Sequence, residues 1–379
     1  MPDRVAPIAL IVGTRPEAVK MAPVHRALLR TGLQPVLVST GQHRELLETA
    51  LVPLGLAPDH ELSVMTEGQT LNAIASRVLE RLPPLLERLQ PAALLVQGDT
   101  TTSLAAALSA YHLGIPVGHV EAGLRTYDHE HPFPEEANRQ PADRLCRWCF
   151  APTEGARRNL LSERIDPAAI HVTGNTAVDS LLWMLEKEGK AESGEPYLLV
   201  TLHRRESFGE PLRGLVGALR DFLDRTPDAT ALWPVHPNPN VVRVAEELLV
   251  GVSRIQLMPP MAYAGFARAL AGCRIVLTDS GGIQEEAPSL GKIVLIARET
   301  TERPEGLEGG RNRLVGRDRE TVARALAEAW QEEPYSGPLP APNPYGDGRA
   351  GERIAGILTR SLSPGTGERA GERGNGING

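Results

Sequence analysis

Lysine is nearly missing from this 379-residue sequence, occurring only at Lys20, Lys187, Lys190 and Lys292. Aromatic residues make up 4%, and there are three cysteines. No apolar run reaches the roughly 18–20 residues that a membrane span needs, which excludes a helical membrane protein. The N-terminus lacks the succession of basic region, apolar core and small-residue cleavage site that marks a signal peptide, so the expected compartment is the cytoplasm. So few cysteines suit a reducing compartment. Cys146 and Cys149 form a C-x-x-C, but no second pair or His cluster completes a zinc site. Both, with Cys273, read as packing residues. The sequence has no P-loop, no H-E-x-x-H, no G-x-S-x-G, and no G-x-G-x-x-G beginning at Gly13. NAD binding therefore has no support, and no metal-ligand spacing is present. The net charge of −7 argues against non-specific nucleic-acid binding. Arginine still supplies local cations for a small anionic ligand.

With 379 residues and 41% apolar side chains, the chain exceeds one ordinary domain and can fill two cores. Ile8–Val12, Pro35–Val38, Ala93–Val96 and Val117–Val120 are apolar runs without strict alternation, as expected of parallel strands buried on both faces. Helix-length stretches lie among them at Glu17–Arg30, Arg44–Leu54, Leu71–Leu89 and Ser103–His112, and Trp148–Ala151 and Ile170–Val172 read as further strands. The pattern then restarts. Tyr197–Thr201, Ala231–Val235, Arg254–Leu257, Ile275–Thr278 and Ile293–Ile296 read as strands. Leu212–Leu223, Asn240–Leu249, Ala264–Ala271, Ile283–Leu290 and Arg319–Gln331 read as helices. Two successive βα runs predict an α/β protein of two Rossmann-like doubly wound domains facing across a cleft. The expected division is 1–177, 178–345, a helix at 346–362 crossing back to the first domain, and a Gly-rich flexible tail at 363–379.

Ligands of such folds sit beyond the carboxyl ends of the strands, and the unusual residues cluster there. Val12-Gly13-Thr14-Arg15-Pro16-Glu17 ends the first strand and opens a helix, with Arg15 as a fixed cation. Thr278-Asp279-Ser280-Gly281-Gly282 holds the same place in the second half. Backbone N–H groups at the start of the following helix favour a phosphate, although Ser280 equally suits a plain N-cap. Glu285 and Glu286 follow one turn later, fit either to accept ribose hydroxyls or to complete a cap. Thr201-Leu202-His203-Arg204-Arg205 and Thr300-Thr301-Glu302-Arg303 bring more cations to strand ends. Arg15, His203 and Arg303 are thus candidates to clamp a diphosphate, against the plainer reading of an inter-domain salt-bridge network. Asp99, Glu121 and Glu135 stand in Gln97-Gly98-Asp99, His119-Val120-Glu121-Ala122-Gly123-Leu124-Arg125 and Pro134-Glu135-Glu136-Ala137-Asn138-Arg139. Carboxylates converging from separate segments raise some of their pKa values and point to acid/base chemistry. Singly, each is an ordinary N-cap or a partner for Arg125 or Arg139.

These blocks, in this order and joined by Thr173-Gly174-Asn175-Thr176, Pro234-Val235-His236, Ile283-Gln284-Glu285-Glu286-Ala287-Pro288 and Asn343-Pro344-Tyr345-Gly346-Asp347-Gly348, resemble the non-hydrolysing UDP-N-acetylglucosamine 2-epimerase family from about Ile8 to Leu358. The resemblance implies the two-domain architecture of B-type glycosyltransferases, no metal or other cofactor, and a homodimer. It implies that Asp99, Glu121 and Glu135 are catalytic carboxylates and that Arg15, His203, Ser280, Gly281, Gly282, Glu286 and Arg303 hold UDP, His203 counting also with the catalytic set. Lys20 and Phe266 match positions near the nucleotide. Gln42, Glu136, Arg204 and His236 match positions that contact a second UDP-GlcNAc, an activator. Gly68 stands where some members have an arginine contacting that activator, Leu202 replaces a smaller residue, and Pro141-Ala142 replaces a more usual Leu-Thr.

The implied reaction interconverts UDP-GlcNAc and UDP-ManNAc, supplying the latter for cell-surface polysaccharide. Hydrogen on C2 is poorly acidic because no carbonyl adjoins it. Elimination of UDP to a 2-acetamidoglucal, then re-addition with the proton on the other face, avoids a free carbanion. The alternatives are a glycosyltransferase of the same fold, a hydrolysing 2-epimerase, and a non-catalytic nucleotide-sugar sensor. No membrane or nucleic-acid partner is expected.

Overall fold

Ile8–Val12 (β1) is an unbroken apolar strand with every residue buried, as an inner strand of a parallel sheet requires. It pairs in parallel with Pro35–Ser39 (β2) and Ala93–Gln97 (β4). The computed structural model describes residues 6–41, 51–64, 68–189, 195–333 and 343–363. With His60–Glu61 (β3), Val117–Val120 (β5), Trp148–Ala151 (β6) and Ile170–Val172 (β7), the first sheet runs β3-β2-β1-β4-β5-β6-β7. The second runs β10-β9-β8-β11-β12-β13, from Tyr197–Thr201 (β8), Thr230–Pro234 (β9), Ile255–Met258 (β10), Ile275–Thr278 (β11), Ile293–Ile296 (β12) and Asn312–Leu314 (β13). All pairings in both sheets are parallel. This is the Rossmann order twice, and the strand order reverses between β1 and β4 and between β8 and β11. Those two switch points are where ligands of such sheets bind.

The helices start where local chemistry satisfies their free N–H groups. Thr14 caps Arg15–Arg30 in a capping box with Glu17. Thr70, Thr100, Thr153 and Asn175 cap Leu71–Leu89, Thr101–His112, Glu154–Ser162 and Thr176–Glu188, each side chain accepting one backbone N–H. The expected helix Ile283–Leu290 is split. It is α-helical over Gly281–Glu286 and 3₁₀ over Ala287–Leu290, because Pro288 lacks an N–H and crowds the carbonyl four residues back. β3 and β13 carry polar residues at sheet edges and have no apolar run to announce them. Most of the expected Arg44–Leu54 helix, and positions 364–379 of the expected tail, lie outside the described residues.

Helix Thr176–Glu188 joins the halves. Its Leu181 and Met184 enter a core that contains Leu10 and Val24 of the first half and Leu199, Tyr263 and Val276 of the second. The last helix, Ala350–Leu362, returns to this core with Ile354, Ala355 and Leu358. Each such fully buried aliphatic side chain contributes about 1.5–3 kcal/mol. Gly351 allows the close approach: a Cβ there would lie 2.8 Å from backbone atoms of Pro23. Its N–H donates to Asp179 Oδ1 at 2.8 Å. The two crossings between the sheets touch each other. Asn175 N–H donates to Tyr345 O at 2.6 Å, beside Gly174 and Gly346, whose φ values of +89° and +123° favour glycine.

Candidate active site

A cavity of about 430 Å³ opens at the two switch points, within the size range of small-ligand sites. From the first half it is lined by Arg15 and Lys20, and from the second by His203, His236, Phe266, Ser280, Gly282 and Glu286. Arg15 is set by the turn before it. Glu17 is buried and accepts from Gly13 N–H and Thr14 N–H, both at 2.7 Å, and from Thr100 Oγ1 at 2.7 Å and Ser103 Oγ at 3.0 Å. That carboxylate fastens the turn after β1 to the turn after β4. On the far wall, Ser280 makes no capping bond with its side chain, so the plain N-cap reading does not describe it. The first N–H groups of the helix it precedes have no intrahelical partner. Glu286 accepts from Tyr263 Oη at 3.0 Å, and burial pushes its carboxyl up to about 7.

The three sequence-predicted carboxylates lie in three different states. Glu121, in the left-handed region at φ +72°, is bound by Lys20 Nζ and Gln97 Nε2, and by Asn175 Nδ2 at 2.9 Å. Burial alone would raise its pKa; the charges of Lys20 and Arg303 outweigh this and hold it at about 2. Asp99 accepts from Arg139 Nε at 3.0 Å and Arg139 Nη2 at 2.7 Å, and its carbonyl accepts from Asn138 Nδ2 at 2.9 Å. Glu135 opens the helix Glu135–Arg144, and its Oε2 is buried with no partner. Burial, reinforced by the negative charge of Asp99, pushes the Glu135 carboxyl upward. Glu121 is thus kept ionised and Glu135 is pushed toward its protonated form; neither they nor Asp99 line the cavity itself, to which Glu121 is joined through Lys20.

The second half supplies the cations. His203 and Arg204 follow β8, their N–H groups both donating to the buried Asp279 at 3.0–3.1 Å. The His203 ring stacks on His236 with centroids 5.8 Å apart, and burial lowers its pKa. Arg204 lies 3.7 Å from Glu302. Arg303 is buried beneath Gly281, where a Cβ would come within 2.6 Å of Nη1. Its Nε donates to Glu285 Oε1 at 2.6 Å, its Nη1 to Glu302, and its Nη2 stands 3.8 Å from Glu121. Glu285 and Glu302 lie in the same half as Arg303, so of its carboxylate partners Glu121 alone answers to the expected inter-domain salt-bridge network. Lys20 adds a second link across the cleft, 3.3 Å from Glu285.

Of the residues matched to an activator, His236 lines the cavity, Arg204 does not, and Gln42 lies outside the described residues. Glu136 is fully buried, paired with Arg139 Nη1 at 2.7 Å and Tyr127 N–H at 2.9 Å. Several residues that organise the site were not singled out by sequence: Glu17, Gln97, Asn175, Asp279 and Tyr345. Tyr345 Oη donates to Arg303 O at 3.0 Å and accepts from Gly306 N–H at 3.0 Å. Asp279 directly follows β11 and Gln97 ends β4, but Glu17 and Asn175 lie further past their strands and Tyr345 is near none, so no local signal unites them. Cys146, Cys149 and Cys273 are free, and burial pushes all three thiols upward, which suits packing. Among the described residues no cluster of His, Cys, Asp or Glu could hold a metal, and no helix is long and apolar enough to cross a membrane.

Two parallel sheets in Rossmann order, with a charged cavity between their carboxyl ends, define the architecture shared by B-type glycosyltransferases and the enzymes related to them in fold. The UDP-N-acetylglucosamine 2-epimerase family profile matches residues 26–359. The chain is 44% identical over 363 residues to the UDP-N-acetylglucosamine 2-epimerase of Salmonella typhimurium, covering 92% of this chain and 96% of that protein. It superposes on the crystal structure of UDP-GlcNAc 2-epimerase from Neisseria meningitidis bound to UDP-GlcNAc with a TM-score of 0.86 and 38% identity, covering 93% and 99% of the two chains. With the Methanocaldococcus jannaschii UDP-GlcNAc 2-epimerase in complex with UDP-GlcNAc and UDP, the TM-score is 0.82 at 34% identity, over 93% and 99%. The chain belongs to the UDP-N-acetylglucosamine 2-epimerase family.

Proposed function

We propose that this chain is a non-hydrolysing UDP-N-acetylglucosamine 2-epimerase, which interconverts UDP-GlcNAc and UDP-ManNAc by eliminating and re-adding UDP. The observation that carries the reading is the pairing of the cavity-lining Lys20 with Glu121, a carboxylate held ionised, while Glu135 keeps a buried, unpartnered oxygen and a raised pKa. Two carboxyls whose surroundings drive their proton affinities apart are suited to different roles in proton transfer. In the α-linked GlcNAc chair, O1 and the C2 hydrogen are trans-diaxial. The base takes the C2 proton as the C1–O bond breaks, leaving a 2-acetamidoglucal and UDP. Re-addition restores the C1–O bond while a proton reaches C2 from the opposite face. Glu135, with an unpartnered oxygen and a raised pKa, is the proton carrier best prepared for one face. Asp99 and Glu121 complete the catalytic set with His203.

Arg15, Lys20, His203, Phe266, Ser280, Gly281, Gly282 and Glu286 form the nucleotide site in this reading, with Arg303 stabilising the departing diphosphate from below. No cofactor takes part. The first domain ends near 177 and the second near 345, and closure of the cleft keeps water from the glucal. A second UDP-GlcNAc acts as activator through Gln42, Glu136, Arg204 and His236. Gly68, at φ +69° with open space around it, offers that activator no cation. The enzyme works as a homodimer in the cytoplasm and feeds polysaccharide synthesis. The test is NMR of the protein with UDP-GlcNAc in D2O. UDP-ManNAc should appear at equilibrium with deuterium at C2; stoichiometric free ManNAc and UDP would instead establish a hydrolase.

A further inference from the structure

His119 lies on β5, 1% exposed, and neither of its ring nitrogens is free. Nε2 is 2.7 Å from Gly98 O, and Nδ1 is 2.6 Å from Asp143 Oδ1. A carbonyl oxygen can only accept, so Nε2 carries a proton. Asp143 is buried, and its other oxygen accepts from Arg125 Nη2 at 2.6 Å and Gly123 N–H at 3.3 Å. A guanidinium at that distance favours the ionised carboxylate, so Nδ1 donates as well. Arg125 is in turn neutralised by Glu163, at 2.8 and 2.9 Å. The Cys149 thiol on β6, donating to Asp143 O at 3.6 Å, is uncharged. The buried cluster His119, Asp143, Arg125 and Glu163 therefore balances with the imidazole doubly protonated. Burial, with the charge of Arg125, disfavours the charged ring; Asp143 and the Gly98 carbonyl favour it and prevail, so the His119 pKa is raised.

The contacts of this ring reach all three carboxylate-bearing segments. Gly98, at φ +70°, is held twice on β5: its N–H donates to Val120 O at 3.0 Å and its C=O accepts from His119. Asp99 is the next residue. Glu121 is two residues along the strand from His119. Asp143 lies in the last turn of the helix that Glu135 begins, and Arg139 of that helix binds Asp99. We propose that His119 is a positioning residue for the epimerisation: as an imidazolium, it donates to Gly98 O and Asp143 and fixes the segments bearing Asp99, Glu121 and Glu135 relative to one another. This rests on reading those carboxylates as the reacting groups. Among the described residues, the hydrogen bonds and the ion pair of the ring go to Gly98 and Asp143, not to the nucleotide wall of β8 and β11.

Two measurements test it. In 15N-histidine-labelled protein at a pH about one unit above the ordinary imidazole pKa of about 6.5, the His119 ring signals, identified by their loss in His119→Gln, should show both nitrogens protonated. A bare Nδ1 there overturns the proposal, and this needs no variant to be active. Kinetically, glutamine can donate to one of the two acceptors only. Folded His119→Gln should lose roughly 10- to 100-fold in kcat, the scale of a small misplacement of reacting groups, with KM and UDP affinity kept. Asp143→Asn leaves an acceptor but removes the anion, so its kcat should acquire a falling limb as pH rises, absent from the wild type. Unaltered kcat in folded His119→Gln, or no new limb in Asp143→Asn, overturns the proposal. Failure of the carboxylate reading is separate: it shows as Asp99→Asn or Glu135→Gln keeping full turnover, whatever the state of His119.

Discussion

Lys20 Nζ and Glu285 Oε2 stand 3.3 Å apart across the cleft, with Glu121 on the other side of the same ammonium. Lys20→Met leaves two buried carboxylates short of a counterion, and the expected cost is about 3–5 kcal/mol. The pH dependence identifies the cause. Glu121 has a depressed folded pKa of about 2, so its stabilising contribution is present above the ordinary carboxylate value of about 4.3 and is lost as pH falls toward 2. The stability gap between wild type and variant should thus be widest above about pH 5 and narrow toward acid. A gap of constant size across that range, by thermal unfolding, removes Glu121 from the explanation.

Asp99→Asn, Glu121→Gln and Glu135→Gln should each lower turnover by about 10²-fold or more. UDP should still bind, because the cavity wall of β8 and β11 is untouched. Single-turnover kinetics paired with UDP titration checks this. Near-normal turnover in any one variant makes that residue structural.

Arg303→Ala strips the partner from Glu285 and Glu302 together, and the expected loss is again about 3–5 kcal/mol of stability. Arg303→Lys keeps the charge but cannot span both carboxylates. It should fold with a lowered melting temperature and bind UDP about 10-fold or more weakly. Calorimetry giving wild-type UDP affinity for the folded lysine variant confines Arg303 to holding Glu285 and Glu302.

Glu286 offers a cleaner titration. Its folded pKa is raised to about 7 by burial, so the folded state binds the extra proton between the ordinary carboxylate value and 7. Stability must fall as pH rises through that window. Glu286→Gln lacks this loss, and from pH 5 to 8 it should gain on the wild type by an amount on the order of 3 kcal/mol. Other groups that titrate there are common to both proteins and cancel. Parallel stability curves mean that Glu286 has ordinary acidity.

Much of this was legible in the sequence for a physical reason. β1, β8, β11 and β12 are buried and built almost wholly of apolar residues, so their limits match the expectation. β3 and β13 are held by a neighbour's backbone at a sheet edge, which demands nothing of their side chains. Among site residues, Arg15 precedes Pro16, Asp99 follows Gly98 and Ser280 precedes Gly281, so the turn after each strand draws attention to them. Asn175, Gln97 and Tyr345 also adjoin a glycine, but that neighbour does not say what they bind. Their importance lies in which distant side chain they meet, as when Asn175 binds Glu121 from 54 residues away. Arg303 shows the remaining difficulty: sequence gives its charge and its strand end, not that Glu285 and Glu302 already occupy its fork.

The contact of Asn175 with Tyr345, beside Gly174 and Gly346, has a mechanical consequence. Two chain crossings set far apart would act as the two pins of a door and define a fixed line of rotation. Here they are tied at one spot by a 2.6 Å hydrogen bond, with a glycine on each side to absorb torsion. Any rotation of one half against the other is therefore expected to pivot at this spot rather than about a line. The direction of closing is then left to what sits between the halves. Lys20, Glu121, Glu285 and Arg303 draw the sheets together along one line, and a bound diphosphate competing for Lys20 or Arg303 would redirect the same joint.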